Sequence, residues 1–447
     1  MPIIGGVADD LTGANTTGVL LARSKARTAV FFNEEAAEKG SGTEKLDAIM
    51  ISSNSRPLPA GEAYEKVKLA TLALKRMGVK YYQKRIDTTC RGGIGVEIDA
   101  MLDQLPDTVA VVVPAMPQSK RILVGGFSVI DGVALIRTPV AQDVRTPVKE
   151  NFIPGLLKEQ TRRNVGLVTL DRVLSGENAV KESLMEARNA GKEVIVVDAI
   201  TLEDVEVIAK ACLLLGWNIL SVDPGPFTAK LAFNRGLIRE EESNIPEGEA
   251  DESGKTVLIA AGSATTVTKR QMEVLTQDPR HVMISVEPIC LVNGGNEAVE
   301  EADRAVKQAV DFICSEQQPR AIILETALHG RILNLEEEDK KRGYSDGMSA
   351  DRINAGLGTI VSRILETVGQ EKIAGLYTTG GDTMVNVCYQ LDVQCLEVLD
   401  YVIPQADVTR LLGNYDHLPA VGKGGLTGND YTACEIVDRL FKEAMRR

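Results

Sequence analysis

The feature that most constrains this chain is a repeated alternation. Short runs of β-branched and apolar residues are each followed by a longer polar or amphipathic stretch. In the first half the runs are Ile3 to Ala8, Thr28 to Phe32, Ala48 to Ser52, Val109 to Val113, Gly166 to Leu170, Val194 to Asp198 and Ile219 to Asp223. Runs of this length without polar alternation suit strands buried on both faces. Between them lie helical patterns at Pro59 to Met77, Glu177 to Ala190 and Leu202 to Leu215, with Gly191 and Gly216 placed to end two of them. The βαβ rhythm predicts a mostly parallel sheet flanked by helices.

The rhythm stops and restarts. Residues 239 to 254, REEESNIPEGEADESG, are acidic and nearly free of large apolar side chains, so they contribute little core. After them come strand patterns at Thr256 to Ala261, His281 to Val286, Ala321 to Thr326 and Ile373 to Thr378, with helices near 265–277, 296–315, 350–367 and 383–391. A chain of 447 residues also exceeds the ~250–300 at which one core stops growing. The expectation is two α/β domains with mostly parallel sheets, residues 1–240 and 255–447, joined by an acidic linker at 241–254.

Composition excludes several classes. A net charge of -13 without a basic, aromatic-interleaved run disfavours nucleic acid as a partner. No apolar run approaches the ~20 residues a bilayer requires, and the start MPIIGGVADD does not read as a signal peptide, so a cytoplasmic protein without a membrane partner is expected. Seven scattered cysteines lack any C-x-x-C pair, and the three histidines show no metal spacing. A structural zinc and a Ser-His-Asp triad are both poorly supported.

Polar turns at the ends of strands are where such sheets hold ligands. After the first strand stand Asp9, Asp10 and Thr12: carboxylates that can accept polyol hydroxyls, and a helix start that can face an anion. A simple Asp/Thr helix cap is the plainer alternative. The segment Lys84 to Gly95, again strand, turn and helix, offers Lys84 as a point charge, Asp87, Arg91 for bidentate carboxylate recognition, and Gly92 for close backbone approach. A surface ion-pair cluster around Asp87 competes with that reading. The loop Pro114 to Arg121 adds Lys120 and Arg121, or is merely a proline-stiffened turn.

In the second half, Gly262, Ser263 and Thr265 lie between strand and helix, where amides and hydroxyls can cradle phosphate. Gly380, Gly381, Asp382 and Thr383 repeat the arrangement with a carboxylate that can take a proton or hold a magnesium ion. Lys423, Gly424 and Gly425 form a cationic glycine-rich loop that is no Walker A motif, and a mobile surface turn is its alternative.

Together these segments resemble the four-carbon acid sugar kinase family, whose members phosphorylate threonate, erythronate or 3-oxo-tetronate. The resemblance covers nearly the whole chain: Ala8 to Ala14, Lys84 to Gly95, and Pro114 to Gly126 with Ile130-Asp131-Gly132 in the first half, and Gly262 to Thr265, Gly380 to Thr383 and Gly422 to Gly428 in the second. It implies a sugar-acid site of Asp9, Asp10, Thr12, Lys84, Asp87, Arg91, Gly92 and Arg121, and a nucleotide site of Gly262, Ser263, Thr265, Gly380, Gly381, Asp382, Thr383, Lys423, Gly424 and Gly425. ATP and Mg2+ are the implied cofactors, with Asp382 preferred over Asp10 as base and the two sites meeting in an interdomain cleft.

The chain departs from the family pattern at Gly422, Gly424, Leu426 and Thr427, and at Leu399 to Asp407. These departures leave the acceptor open, although the Arg91 loop leans towards threonate or erythronate. A kinase of 3-oxo-tetronate or another hydroxy acid, and a non-catalytic nucleotide-gated sugar-acid sensor, remain the rivals. A dehydrogenase is disfavoured because no strand leads into G-x-G-x-x-G. The metal ligands are not assigned, and a homo-oligomer is left open.

Overall fold

The computed structural model describes residues 2–446 except 41, 42, 144, 145, 247, 249–251, 253, 330 and 331. It divides into two compact units, Met1–Glu242 and Ser243–Arg447. Of the expected linker, residues 247, 249–251 and 253 lie outside the described residues.

The first unit contains β1 (Ile4–Ala8), β2 (Thr28–Phe31), β3 (Ala48–Ser52), β4 (Tyr81–Arg85), β5 (Thr108–Val112), β6 (Arg121–Val124), β7 (Phe127–Ile130), β8 (Val133–Ala134), β9 (Val165–Val168), β10 (Val194–Val197) and β11 (Asn218–Asp223). Eight of them form a sheet in the order β2-β3-β1-β4-β11-β5-β10-β9, with every neighbouring pair parallel. Helices cover both faces, which is why Val111, Ile195, Val197 and Leu220 are fully buried. Each such side chain contributes about 1.5–3 kcal/mol of transfer free energy.

The chain passes from β3 on one side of β1 to β4 on the other, so the strand order reverses there and leaves a crevice at the carboxyl ends of β1 and β4. A separate antiparallel sheet, β6-β7-β8, is bridged through Leu123 to Ala199, just after β10. The Asp198 carboxylate pins its Gly125-Gly126 turn, accepting both amides at 2.6 and 2.8 Å. Gly216 (φ +64°) and Gly191 (φ +75°) sit in the left-handed region that follows the helices Leu202–Leu215 and Glu177–Asn189.

The second unit contains β12 (Thr256–Ala261), β13 (His281–Ser285), β14 (Ala321–Glu325), β15 (Ile373–Thr379), β16 (Val393–Ile403), β17 (Ala406–Gly413) and β18 (Pro419–Lys423). Their order is β13-β14-β12-β15-β18-β17-β16, parallel through β18 and antiparallel beyond it. The antiparallel part departs from the sequence expectation. Leu399 to Asp407, read as a divergent loop, is the tip of the β16-β17 hairpin. Its Asp400 is fully buried against Arg439 at 3.2 Å. Likewise Gly422 and Lys423 are the last residues of β18, paired with Thr378 and Thr379, and the glycine-rich loop begins only at Gly424.

Candidate functional site

In the first unit, three segments converge at the β1/β4 crevice: Asp9-Asp10 after β1, Ser53 to Arg56 after β3, and Asp87 to Gly92 after β4. The residue that gathers them is Arg56, which no motif indicates. Its Nε donates to Asp9 Oδ2 at 2.7 Å and its Nη2 to Asp9 Oδ1 at 3.1 Å. Nη1 lies 2.7 Å from Asp10 Oδ2, and Nη2 lies 3.9 Å from Asp87 Oδ1. Arg85 adds a second, looser cation, 3.5 Å from both Asp9 and Asp10. Gly13 makes room for it, since a Cβ there would fall 1.9 Å from Arg85 Nη1.

Arg91 grips Asp87 with both arms, Nε to Oδ2 at 2.8 Å and Nη2 to Oδ1 at 3.3 Å, and reaches Asp143 Oδ2 with Nη1 at 3.2 Å. Thr89 Oγ1 donates to the same Asp87 carboxylate. Cys90 (φ +55°) and Gly92 (φ +87°) take left-handed conformations that fold this turn back over Arg56. A concavity of about 350 Å³ opens beside Arg56, lined also by Cys90, Gly92, Gly93, Thr146 and Val148.

The electrostatics follow from burial against charge. Burial works to raise the pKa of Asp9, but Arg56, Lys84 and Arg85 outweigh it and hold the carboxyl below the usual range. Burial of Asp87 is likewise overcome by Arg56 and Arg91. Burial pushes the Cys90 thiol up to about 12, with help from Asp87, so it stays protonated at neutral pH.

Of the expected sugar-acid residues, Asp9, Asp10, Asp87, Arg91 and Gly92 come together here. Asp10 also caps the helix Leu11–Arg23, accepting Gly13 N at 2.7 Å, so the plainer reading of that turn holds alongside the other. Thr12 sits exposed in the first turn of that helix. Lys84, expected to serve as a point charge, does not face the crevice. Its side chain is fully buried, 2.8 Å from Glu97 Oε2, and its Nζ donates to Arg85 O at 2.7 Å. Lys84 therefore acts on Asp9 through its charge, from inside the fold.

Arg121, at the start of β6, differs from the other cations. Among the described residues no carboxylate lies within ion-pair distance of it. Its Nη1 donates to Ser119 O at 2.7 Å, while its Nε is buried without a hydrogen-bond partner. Burial lowers its pKa against the pull of Asp87, which marks a cation short of negative charge.

In the second unit the loops after β12, β15 and β18 meet. Thr265 Oγ1 donates to Gly425 O at 2.6 Å and also accepts from Thr268 N at 3.2 Å, capping the helix Thr266–Leu275. Gly380 N donates to Lys423 O at 2.9 Å, and Ser263 N to Thr379 Oγ1 at 3.3 Å. A Cβ at 425 would fall 2.5 Å from Ser263 Oγ, and one at 262 would fall 2.2 Å from Thr383 Oγ1, so either would displace a hydroxyl of these loops.

Two helices, Thr266–Leu275 and Gly381–Gln390, thus start beside a glycine-made hollow, a geometry suited to phosphate. Lys423 is 2% exposed and its Nζ donates to two carbonyls, Gly424 O at 2.8 Å and Thr427 O at 3.2 Å. Burial lowers its pKa to about 8. Asp382 is exposed in the first turn of Gly381–Gln390. The Thr383 hydroxyl turns inward to Asn354 Oδ1 at 2.8 Å, so Thr383 braces the loop instead of offering its side chain to a ligand. Among the described residues no three His, Cys, Asp or Glu side chains cluster as a metal site, and no helix is long and apolar enough to cross a membrane.

Comparison with known proteins matches a family model to each unit. A sugar-binding N-terminal domain matches residues 4–231 and a nucleotide-binding C-terminal domain matches residues 258–433. The chain is 38% identical to the D-erythronate kinase of Heliobacterium modesticaldum over 97% of its own length and 96% of the relative's. It belongs to the four-carbon acid sugar kinase family. Further relatives are the D-threonate kinase of Salmonella typhimurium, 29% identical over 96% of both chains, and the 3-oxo-tetronate kinase of Pseudomonas fluorescens, 26% identical over 96% of this chain and 95% of the other. Solved structures from Salmonella typhimurium (TM-score 0.79, 19% identity, 97% and 98% of the two chains) and Haemophilus influenzae (TM-score 0.75, 21% identity, 99% of each) share the fold.

Proposed function

We propose that this family member transfers the γ-phosphoryl group of ATP to a hydroxyl of D-erythronate. The acceptor binds in the first unit and the nucleotide in the second. The identity to a named D-erythronate kinase over nearly the full chain supports the acceptor, and relatives that are named kinases weigh against the non-catalytic sensor.

The observation that carries the acceptor site is Arg121. The Arg91 fork is already closed on Asp87, so the substrate carboxylate goes to Arg121, whose guanidinium has no carboxylate partner among the described residues and a buried Nε without a hydrogen bond. Asp9, held ionised by Arg56, and the neighbouring Asp10 accept the hydroxyls. In the second unit the Ser263 and Gly425 loops and Lys423 receive phosphates. Among the described residues no side-chain partner holds the Asp382 carboxylate, which leaves it to take the hydroxyl proton, whereas the Asp10 carboxylate is occupied by Gly13 N and Arg56. A magnesium ion fits this donor set, since it needs only one or two carboxylates beside the phosphates, and it would neutralise charge on them.

The test is ADP release from a panel of C3 to C6 sugar acids. D-erythronate should give the highest kcat/KM. Faster turnover of D-threonate or 3-oxo-tetronate would overturn the acceptor, and silence across the panel with ATP bound would restore the sensor. Asp382→Asn should lower kcat by about 100-fold or more, and an unchanged kcat would remove Asp382 as the base.

A further inference from the structure

Beneath the sugar-acid site lies a buried carboxylate that the reading above does not use. Glu97, in the helix Ile94–Leu102, is 1% exposed and lies 2.8 Å from Lys84 Nζ through Oε2. Its other oxygen accepts the Ser55 hydroxyl at 2.5 Å. Ser55 Oγ is 2.8 Å from Ser53 Oγ, which donates to Ala8 O at 2.8 Å. Each partner adjoins a site residue: Lys84 precedes Arg85, Ser55 precedes Arg56, and Ala8 precedes Asp9.

We infer that Glu97 is the positioning residue of the acceptor site, holding the Ser53–Arg56 loop, the end of β4 and the end of β1 in the register that sets Arg56 on Asp9 and Asp10. This inference rests on the proposed sugar-acid binding at those residues. A buried pair retained for stability alone is weakly justified, because its desolvation offsets most of its attraction. The contacts that Glu97 accepts from both a strand lysine and the loop serine give it a geometric task that an apolar pair would not perform. Burial pushes the Glu97 pKa up and Lys84 opposes it, so the carboxylate depends on that ammonium.

The test compares Ser55→Ala, Glu97→Gln and the double variant Glu97→Gln/Lys84→Met in the full chain, with D-erythronate and ATP varied separately. Ser55→Ala and Glu97→Gln should raise the KM for the sugar acid about tenfold while the KM for ATP stays within about twofold. The double variant should not recover the loss, because Met at 84 leaves the end of β4 untied from the loop. A role in folding alone would lower the active fraction and leave both KM values in place, and that result overturns the inference.

Amide hydrogen exchange provides a readout independent of substrate. Residues 53–56 should exchange faster in Ser55→Ala and Glu97→Gln than in the wild type, while residues 257–261 do not change. Equal exchange at 53–56 overturns the inference. If Glu97→Gln does not fold, Ser55→Ala decides. A wild type inactive on D-erythronate refutes the proposed acceptor without touching the exchange result.

Discussion

Arg56→Met is the most informative single change. It removes the cation that holds Asp9 and Asp10 and fills a similar volume with an apolar chain. The Arg56 side chain is 14% exposed and that of Asp9 3%, so solvent cannot replace the lost partner. Removing one member of a buried ion pair costs about 3–5 kcal/mol, and the lower end applies because Lys84 and Arg85 remain near Asp9.

The single tryptophan, Trp217, lies in the first unit with the Arg188 guanidinium 4.4 Å from its ring centre, so its fluorescence follows that unit alone. With a slope of about 3 kcal/mol per M urea, a loss of about 3 kcal/mol moves the midpoint down by about 1 M. The sign with pH is fixed. Asp9 and Asp87 titrate lower in the folded chain than in the unfolded one, so their pairing stabilises fully above the ordinary carboxylate pKa and is lost as pH falls through the folded values. The gap between wild type and variant should therefore persist from neutral pH to about 5 and narrow below about 3. A midpoint shift under about 0.2 M at neutral pH, well short of this expectation, would refute the view of Arg56 as the organising cation.

Gly13→Ala should push Arg85 away from Asp9 and Asp10, because the added Cβ would fall 1.9 Å from its Nη1. Steady-state kinetics should show a raised KM for the sugar acid and an unchanged KM for ATP. Gly425→Ala, whose Cβ would fall 2.5 Å from Ser263 Oγ, should do the reverse. Lys423 carries its charge below about 8 and loses it above, so ATP affinity measured by calorimetry should fall as pH rises through that value. Lys423→Met should bind ATP weakly and without that pH dependence.

Much of this architecture is legible in the sequence because both units rest on parallel strands buried on two faces, which leave unbroken apolar runs such as Ala48–Ser52 and Val194–Val197. The β16–β18 hairpins were hidden because Val393–Ile403 is long, interrupted by Glu397 and Asp400, and ends at a Pro404-Gln405 turn with no glycine. Arg56 was invisible for another reason: its partners Asp9 and Asp10 lie almost fifty positions away, and its own segment has neither glycine nor a second charge. Lys84 is legible as a cation of the motif, but its depth is not. The carboxylate that lets it be buried, Glu97, belongs to the following helix and looks like an ordinary first-turn acid.

The most direct measurement is phosphorus NMR of the purified chain with ATP and D-erythronate. The account predicts a new phosphomonoester resonance, coupled to sugar-acid protons, growing in step with ADP. It also predicts that the resonance disappears when Arg121→Met replaces the wild type at the same acceptor concentration. ADP formed without a phosphorylated acid, or undiminished product from the Arg121 variant, would contradict it.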